Sequence, residues 1–156
     1  MKVKGEKGFM GFTFFLGVAA AAGVLMALQG TLNGALGEKI GVLEGSFVMH
    51  VIALIVVTLC LFVLGLGRGD LSKLGEAPWY SYLGGVLNVA IIYGVMWSIP
   101  SIGAANSTTA ILIGQVGMAF LIDTFGLFGM EKLPFHWWRL LGIALMAIGG
   151  KMMISK

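Results

Sequence analysis

The chain is short of charge. Only 11% of its 156 residues are Asp, Glu, Lys or Arg, whereas soluble domains carry about 25%. Hydrophobic residues make up 58% of the chain, and the mean hydropathy is +0.98. So few charges cannot cover a surface that faces water, which excludes an ordinary soluble domain. We therefore expect an all-α integral membrane protein, whose helices satisfy their own backbone groups within the bilayer.

Cysteine and catalytic motifs are also scarce. Cys60 is the single cysteine, so no disulfide can form within the chain. The sequence has no HExxH motif, no Cys-His cluster and no serine beside an evident base. We therefore expect neither an enzyme nor a metal or cofactor site. The basic residues are scattered near the ends of apolar segments, a pattern that fits membrane topology and not nucleic-acid binding.

Five apolar stretches are long enough to cross a hydrocarbon core of about 30 Å. The predicted spans are roughly 9–28, 45–66, 79–99, 102–125 and 137–154, and they form one domain over 1–156. Three lysines precede the first stretch as in a signal peptide, but about 20 apolar residues follow, which favours a span that is retained. Pro100 and Ser101 are expected to form the tight turn between the third and fourth spans.

An odd number of spans places the termini on opposite faces of the membrane. We call the N-terminal side face A and the other side face B. Face A carries Lys2, Lys4, Lys7, Arg68, Lys73, Lys132 and Arg139, and face B carries Lys39, Lys151 and Lys156. Because positive charge stays cytoplasmic, this bias favours an inside N-terminus and an outside C-terminus.

Small residues recur at one-turn spacing. Gly30 and Gly34 form a GxxxG pair, and Gly37, Gly41 and Gly45 form a series. Looser pairs are Ala19 with Gly23 and Ala90 with Gly94. Such pairs let helix backbones approach closely. The sequence predicts helix packing at these positions and leaves open whether the partner helix belongs to the same chain.

Several polar side chains gather toward face B. Gln29 and Asn33 lie four residues apart on one helix face, and Ser46, His50 and Asn106 lie on the same side. They could form one polar lobe around a wet cavity, or pair off between helices in hydrogen bonds of about 0.6 kcal/mol. His50 could relay a proton near neutral pH or act as a neutral helix-end donor.

The apolar fourth span carries an amide and an acid. Gln115 lies about 20 Å from the start of the span at 1.5 Å per residue, and Thr108 faces nearly the same way. An amide at that depth needs a partner or water, so Gln115 is expected to line a cavity or a helix interface. Asp123 is about 31 Å along the span, at face A. It is either half of a structural ion pair, with Arg139, His136 or Lys132 as candidate partners, or a coupling group.

Several stretches of this sequence resemble one family. They are "LQGTLNGALGEKIGVLEGSFVMH", "PWYSYLGGVLNVAIIYGVMWSIPSIGAAN", "GQVGMAFLIDTFGLFG" and "RLLGIALMAIGG", with Pro134 between the last two. Together they resemble the YdcZ-like proteins, a five-helix branch of the drug/metabolite transporter superfamily that is related to the small multidrug resistance transporters. The resemblance runs from about Leu28 to Gly150.

The resemblance implies a secondary transporter subunit for a small organic solute in the cytoplasmic (inner) membrane of a prokaryote. It implies an antiparallel homodimer with a shared central site, or a pair with a homologous partner of opposite orientation. The family motif positions are Gln29, Asn33, Gly84, Gly85, Pro100, Gly103, Gln115, Asp123 and Gly126. The first span lacks the membrane-embedded glutamate of the small multidrug transporters, so their proton exchange does not carry over.

Three residues depart from the family pattern. His50 and Asn88 stand where small residues are expected, and Glu44 is an unexpected acid before the second span. The candidate substrate-binding residues are Gln29, Asn33, His50, Asn88, Asn106, Thr108 and Gln115, and the candidate coupling or structural acids are Asp123 and Glu44. The alternative function is a non-transporting membrane scaffold or assembly partner. Polar residues that converge on one cavity favour transport, whereas polar residues paired between helices favour the scaffold.

Overall fold

The protein is all-α over the residues that the structure describes, as the composition predicts. The computed structural model describes the backbone of residues 3–154 and the side chains of residues 11–154. The long helices are α1 (Val3–Ile40), α2 (Val42–Thr58), α3 (Leu83–Ile102), α4 (Ala104–Phe125) and α5 (Trp137–Met153). Short turns of π or 3₁₀ helix cover Leu59–Val63, Leu71–Glu76, Trp79–Tyr82 and Leu127–Gly129.

Four helical segments of the described chain are long and apolar enough to cross a membrane. They are Gly11–Ile40, Val42–Val63, Trp79–Ile102 and Ala104–Phe125. Helix α5 has 17 residues, or about 25 Å at 1.5 Å per residue, which is short for a bilayer core of about 30 Å. The fifth span therefore stays a prediction. Of the basic residues used to predict orientation, Lys2 and Lys156 and the side chains of Lys4 and Lys7 lie outside the described residues.

The first helix is much longer than the predicted span, which ended at Leu28. Helix α1 continues for another twelve residues to Ile40 and so includes Gln29, Asn33 and the glycines between them. Polar residues do not end it because their side chains are compatible with the helical backbone. Thr31, for example, donates its hydroxyl hydrogen to the carbonyl of Ala27 at 3.0 Å, within the helix.

Single glycines make the two connections at face B. Gly41 (φ 101°, ψ 147°) joins α1 to α2, and Gly103 (φ 87°, ψ 155°) joins α3 to α4. This backbone region is essentially restricted to glycine. Each turn keeps its hydrogen bonds: the N–H of Gly103 donates to Ile99 at 2.8 Å, and the N–H of Ser107 donates to Gly103 at 3.1 Å. The chain therefore reverses direction at one residue in each place.

The predicted turn at Pro100 and Ser101 is wrong. Both residues lie inside α3, which continues to Ile102 before Gly103 turns the chain. Proline in the last turn of a helix removes one hydrogen bond, but it leaves the helix free to end where glycine permits a sharper reversal. The pyrrolidine ring of Pro100 packs on α1 at Gly34, where an added Cβ would lie 3.2 Å from its Cδ.

The end of α3 packs against glycines of α1 and α2, and this contact is the core of the described chain. A Cβ on Gly30 would meet Ile99 at 2.8 Å, and one on Gly37 would meet Met96 at 3.0 Å. Met96 and Ile99 are the two buried hydrophobic side chains of the described residues, at 1% and 7% exposed. The partner of the GxxxG pair is thus α3 of the same chain. Gly41 serves as the turn, and a Cβ on Gly23 or Gly94 would meet nothing within 4 Å.

Among the residues that the structure describes, the face A end is built from loops and has no comparable core. After α2, Asp70 accepts hydrogen bonds from the hydroxyl and the N–H of Ser72, at 2.7 Å and 2.9 Å. These two bonds favour the charged carboxylate and lower the pKa of Asp70 below its usual value. Helix α4 ends at Gly126 in a left-handed conformation (φ 64°), as is common for a helix C-terminus. A loop leads from there to α5, which packs on α4.

Candidate functional site

A cavity of about 460 Å³ lies between α1, α3 and α4. Two of its lining residues are polar, Thr108 and Gln115, which lie two turns apart on α4 and so share one helix face. The walls are apolar side chains of the three helices: Val24, Met26, Ala27, Ile91, Val95, Ile99, Ile111 and Leu112, with Ala20 and Gly23. We call this space the α1–α3–α4 cavity.

The α1–α3–α4 cavity has the composition of a small-molecule site. Known ligand pockets are mostly apolar, enclose about 300–1,000 Å³ and hold a few polar groups that orient the ligand. Within the described part of the chain, Gln115 and Thr108 make no side-chain hydrogen bond. Their donors and acceptors are therefore open to water or to a ligand inside the cavity.

A second open space, of about 680 Å³, lies along α1 toward α2. We call it the α1–α2 groove. Gln29 and Asn33 line it, one turn apart, together with Met49 of α2. Asn33 is only 2% exposed, and its Oδ1 has no hydrogen-bond partner among the described residues. The two amides predicted to share a helix face do so, but they lie in a different cavity from Gln115.

Two further buried oxygens lie near the glycine turns. The side chains of Ser46 and Ser107 are 2% and 1% exposed, and neither Oγ has a partner among the described residues. Each serine lies about one turn beyond a glycine turn, Ser46 after Gly41 and Ser107 after Gly103. A buried hydroxyl without a partner lowers the free energy of unfolding by roughly 1–3 kcal/mol. Both serines are therefore unfavourable polar positions in the packed end of the bundle.

His50 and Asn88 form a direct link between α2 and α3. The Nδ2 of Asn88 lies 3.1 Å from the Nε2 of His50, and the Nδ1 of His50 lies 2.7 Å from the carbonyl oxygen of Ser46. His50 is half-buried and Asn88 is exposed. Sequence reasoning named each residue separately and missed their contact. The connection between α2 and α3 is long, so the sequence did not indicate which residue of α3 would lie opposite His50.

Asp123 and Arg139 form an ion pair between α4 and α5. Arg139 Nη1 lies 3.6 Å from Asp123 Oδ2, and the side chains are 45% and 39% exposed. Both line a cavity of about 450 Å³ whose other lining residues, among them Phe120 and Met146, are apolar. Of the three predicted partners for Asp123, the structure brings Arg139 to it.

Glu44 and Asn106 have local roles in the structure. Glu44 is in the first turn of α2, where a negative charge is favourable beside the helix N-terminus, and its carboxylate lies against Gly41. Asn106 donates its amide hydrogen to the carbonyl oxygen of Ile102 at 2.9 Å, across the Gly103 turn. Both contacts stabilise the glycine turns, and neither residue lines the cavities described above.

The predicted polar lobe at face B is divided in the single chain. Gln29 and Asn33 line the α1–α2 groove, Thr108 lines the α1–α3–α4 cavity beside the deeper Gln115, and His50 pairs with Asn88 on α3. Residues at a similar depth on different helices thus face different gaps between the helices. The arrangement therefore combines the two expected patterns: polar groups that line a cavity and polar groups that pair between helices.

Membrane-capable helices, cavities that open between them and exposed apolar faces define a multi-pass membrane protein. The chain belongs to the family described as "Putative inner membrane exporter, YdcZ", which it matches over residues 14–152. The resemblance seen in the sequence is thus confirmed, and the protein is a multi-pass protein of the inner membrane in a family of transporters. Neither the curated proteins nor the solved structures gave a match to this chain.

Proposed function

We propose that the protein is a subunit of a secondary transporter that moves a small organic solute across the inner membrane. The observation that carries this proposal is the α1–α3–α4 cavity, whose size and apolar walls fit a small solute. The amide of Gln115 and the hydroxyl of Thr108, which have no hydrogen-bond partner among the described residues, supply groups that can orient that solute. The family description supports export as the direction.

We further propose that two copies in opposite orientation build the transport unit, with α5 as the fifth span of each. Many transporter folds consist of two inverted repeats around a site near the middle of the membrane. This chain holds one such set of helices, and its α1–α3–α4 cavity is not fully enclosed. A second copy, or a homologous chain of opposite orientation, would close it and complete a shared central site.

The test is solute flux in proteoliposomes made from phosphatidylethanolamine and phosphatidylglycerol. A radiolabelled panel of amino acids, short organic acids and quaternary ammonium compounds is offered with and without a pH gradient. The parent protein should move at least one class of solute. Gln115→Ala should reduce binding of that solute about tenfold, because a lost hydrogen bond to a ligand in an apolar site removes about 1.4 kcal/mol. It should leave the melting temperature nearly unchanged.

Gln29→Ala is the matched control, because it removes the same amide from the α1–α2 groove instead. It should retain the parent affinity. Two results together would favour the membrane scaffold. The parent protein would move no solute from the panel, and Gln115→Ala would lower the melting temperature without any other effect. In intact cells before extraction, Cys60→Ala proteins that carry Arg68→Cys or Lys151→Cys are labelled from outside by an impermeant maleimide. Half labelling at both positions is expected for mixed orientations, and an active protein labelled at one position only would exclude the antiparallel homodimer.

A further inference from the structure

Two residues that are 38 positions apart in the sequence meet where α2 packs on α3. Both His50 and Asn88 stand where small residues were expected, so two apparent irregularities of the sequence form one contact. A histidine and an amide are both able to donate and accept hydrogen bonds. Which of them donates depends on whether the histidine carries a charge.

The two contacts of His50 fit its neutral form. Its Nδ1 lies 2.7 Å from the backbone carbonyl oxygen of Ser46, and a carbonyl can only accept, so this contact needs a hydrogen on Nδ1. Its Nε2 lies 3.1 Å from the Nδ2 of Asn88. With the amide nitrogen placed there, Nε2 is the acceptor, whereas the amide oxygen in that place would accept from a protonated Nε2.

The pair is remote from charged side chains along the helices that surround it. His50 lies eight residues after Val42, or about 12 Å into the helix. On α2 the charged residue is Glu44, in the first turn. On α1 the charged residues of the described side chains are Glu38 and Lys39, at its last turn, and α3 carries none over Leu83–Ile102. On α4, the acid Asp123 is paired with Arg139.

We propose that His50 is the proton-binding group of the carrier and that Asn88 changes hydrogen-bonding role with it. When Nε2 takes a proton from water, it becomes a donor, and the Nδ2 of Asn88 can no longer face it. The Asn88 amide then turns by about 180° about its Cβ–Cγ bond and presents Oδ1 as the acceptor. When the proton leaves to water on the other side of the membrane, both groups return to the neutral arrangement, and no other species is consumed.

This inference rests on the proposed function, because a proton is carried across only if the site opens to each face in turn. Histidine is suited to the role because its charge changes between about pH 5 and pH 8. Asn88 lies about one turn from Ile91 of the same helix, which lines the α1–α3–α4 cavity.

The first experiment measures protonation directly and needs no solute. The protein is labelled with ¹⁵N in histidine and asparagine side chains and studied by NMR in lipid nanodiscs. The chain has two histidines, so His136→Gln leaves His50 as the single imidazole signal. At pH 8 the spectrum should show a protonated Nδ1 and an unprotonated Nε2. As the pH falls to about 5, both nitrogens should become protonated, and the Asn88 amide signal should move with the same midpoint.

His50→Gln supplies the matched variant, because glutamine can accept the Asn88 hydrogen bond and cannot titrate in this range. In that protein the Asn88 signal should be independent of pH. A neutral His50 with its hydrogen on Nε2 would overturn the proposal. So would an imidazole that stays neutral down to pH 5, or an Asn88 signal that does not move with His50.

The second experiment uses whichever member of the solute panel the parent protein moves. His50→Gln should lose at least about tenfold of the accumulation driven by a pH gradient, and its solute exchange without a gradient should be independent of pH. His136→Gln should behave as the parent in both assays. Unchanged gradient-driven accumulation by His50→Gln would overturn the proposal. If the parent moves no solute, the proposed transport function fails, and the NMR titration still decides whether His50 takes up the proton.

Discussion

The two ends of the helix bundle differ in how they are held together. At face B, two glycine turns bring α1 and α2 against the end of α3, and Met96 and Ile99 are buried among glycines. At face A, loops connect the helices, and a half-exposed ion pair with a distance of 3.6 Å links α4 to α5. Close backbone packing, and not charge pairing, therefore holds the face B end together.

Disruption of the α1–α3 contact should have the largest effect on stability. A side chain at Gly34 would meet the rigid ring of Pro100, because even a Cβ would lie 3.2 Å from its Cδ. Gly34→Leu should therefore lower the free energy of unfolding by about 3 kcal/mol, the upper part of the range for an overpacked core. Thermal unfolding in detergent measures the loss.

Gly17→Leu on the same helix is the control, since a Cβ there would meet nothing within 4 Å. Its free energy of unfolding should stay within about 0.5 kcal/mol of the parent value. Equal melting temperatures for the Gly34 and Gly17 variants would show that the closed end does not depend on this contact.

Backbone strain at a face B turn should have the next largest effect. Gly103 has φ 87°, and a Cβ there would meet nothing within 4 Å. Gly103→Ala should therefore lower the free energy of unfolding through the backbone conformation alone, by about 1–3 kcal/mol. Gly85→Ala, which lies in α3 and also has open space around it, should be neutral or slightly stabilising. Similar melting curves for the two alanine variants would contradict this account of the turn.

The ion pair at face A should have the smallest effect. Both side chains are more than a third exposed, and exposed pairs contribute about 0–1 kcal/mol. Asp123→Asn should lower the free energy of unfolding by less than about 1 kcal/mol, as measured by melting. Arg139→Gln in the same protein should recover part of that loss. The coupling energy from the double-mutant cycle should decrease further at high salt. A stable Asp123→Asn protein that loses only the pH response of transport would make the acid a coupling group.

Several features of the fold could be predicted from the pattern of residues. Few charges and long apolar stretches predict membrane helices, because the bilayer imposes a length and a composition on each segment. The boundaries were less predictable. Gln29 and Asn33 suggested the end of an apolar span, yet α1 continues to Ile40, since an isolated amide does not break a helix. Pro100 suggested a turn, yet Gly103 makes it, since only glycine reaches that backbone conformation readily.

The sequence by itself determined the class of the protein, the approximate positions of four membrane-capable helices and the set of polar residues available within them. It also marked the glycines, because a missing side chain at one-turn spacing allows close approach whichever helix is the partner. Only the tertiary structure decided that α3 is that partner and that Arg139 meets Asp123. It alone paired His50 with Asn88 and separated Gln115 from Gln29. The physical reason is that spacing along a helix defines a face, whereas the element that a face meets depends on the packing of all the helices together.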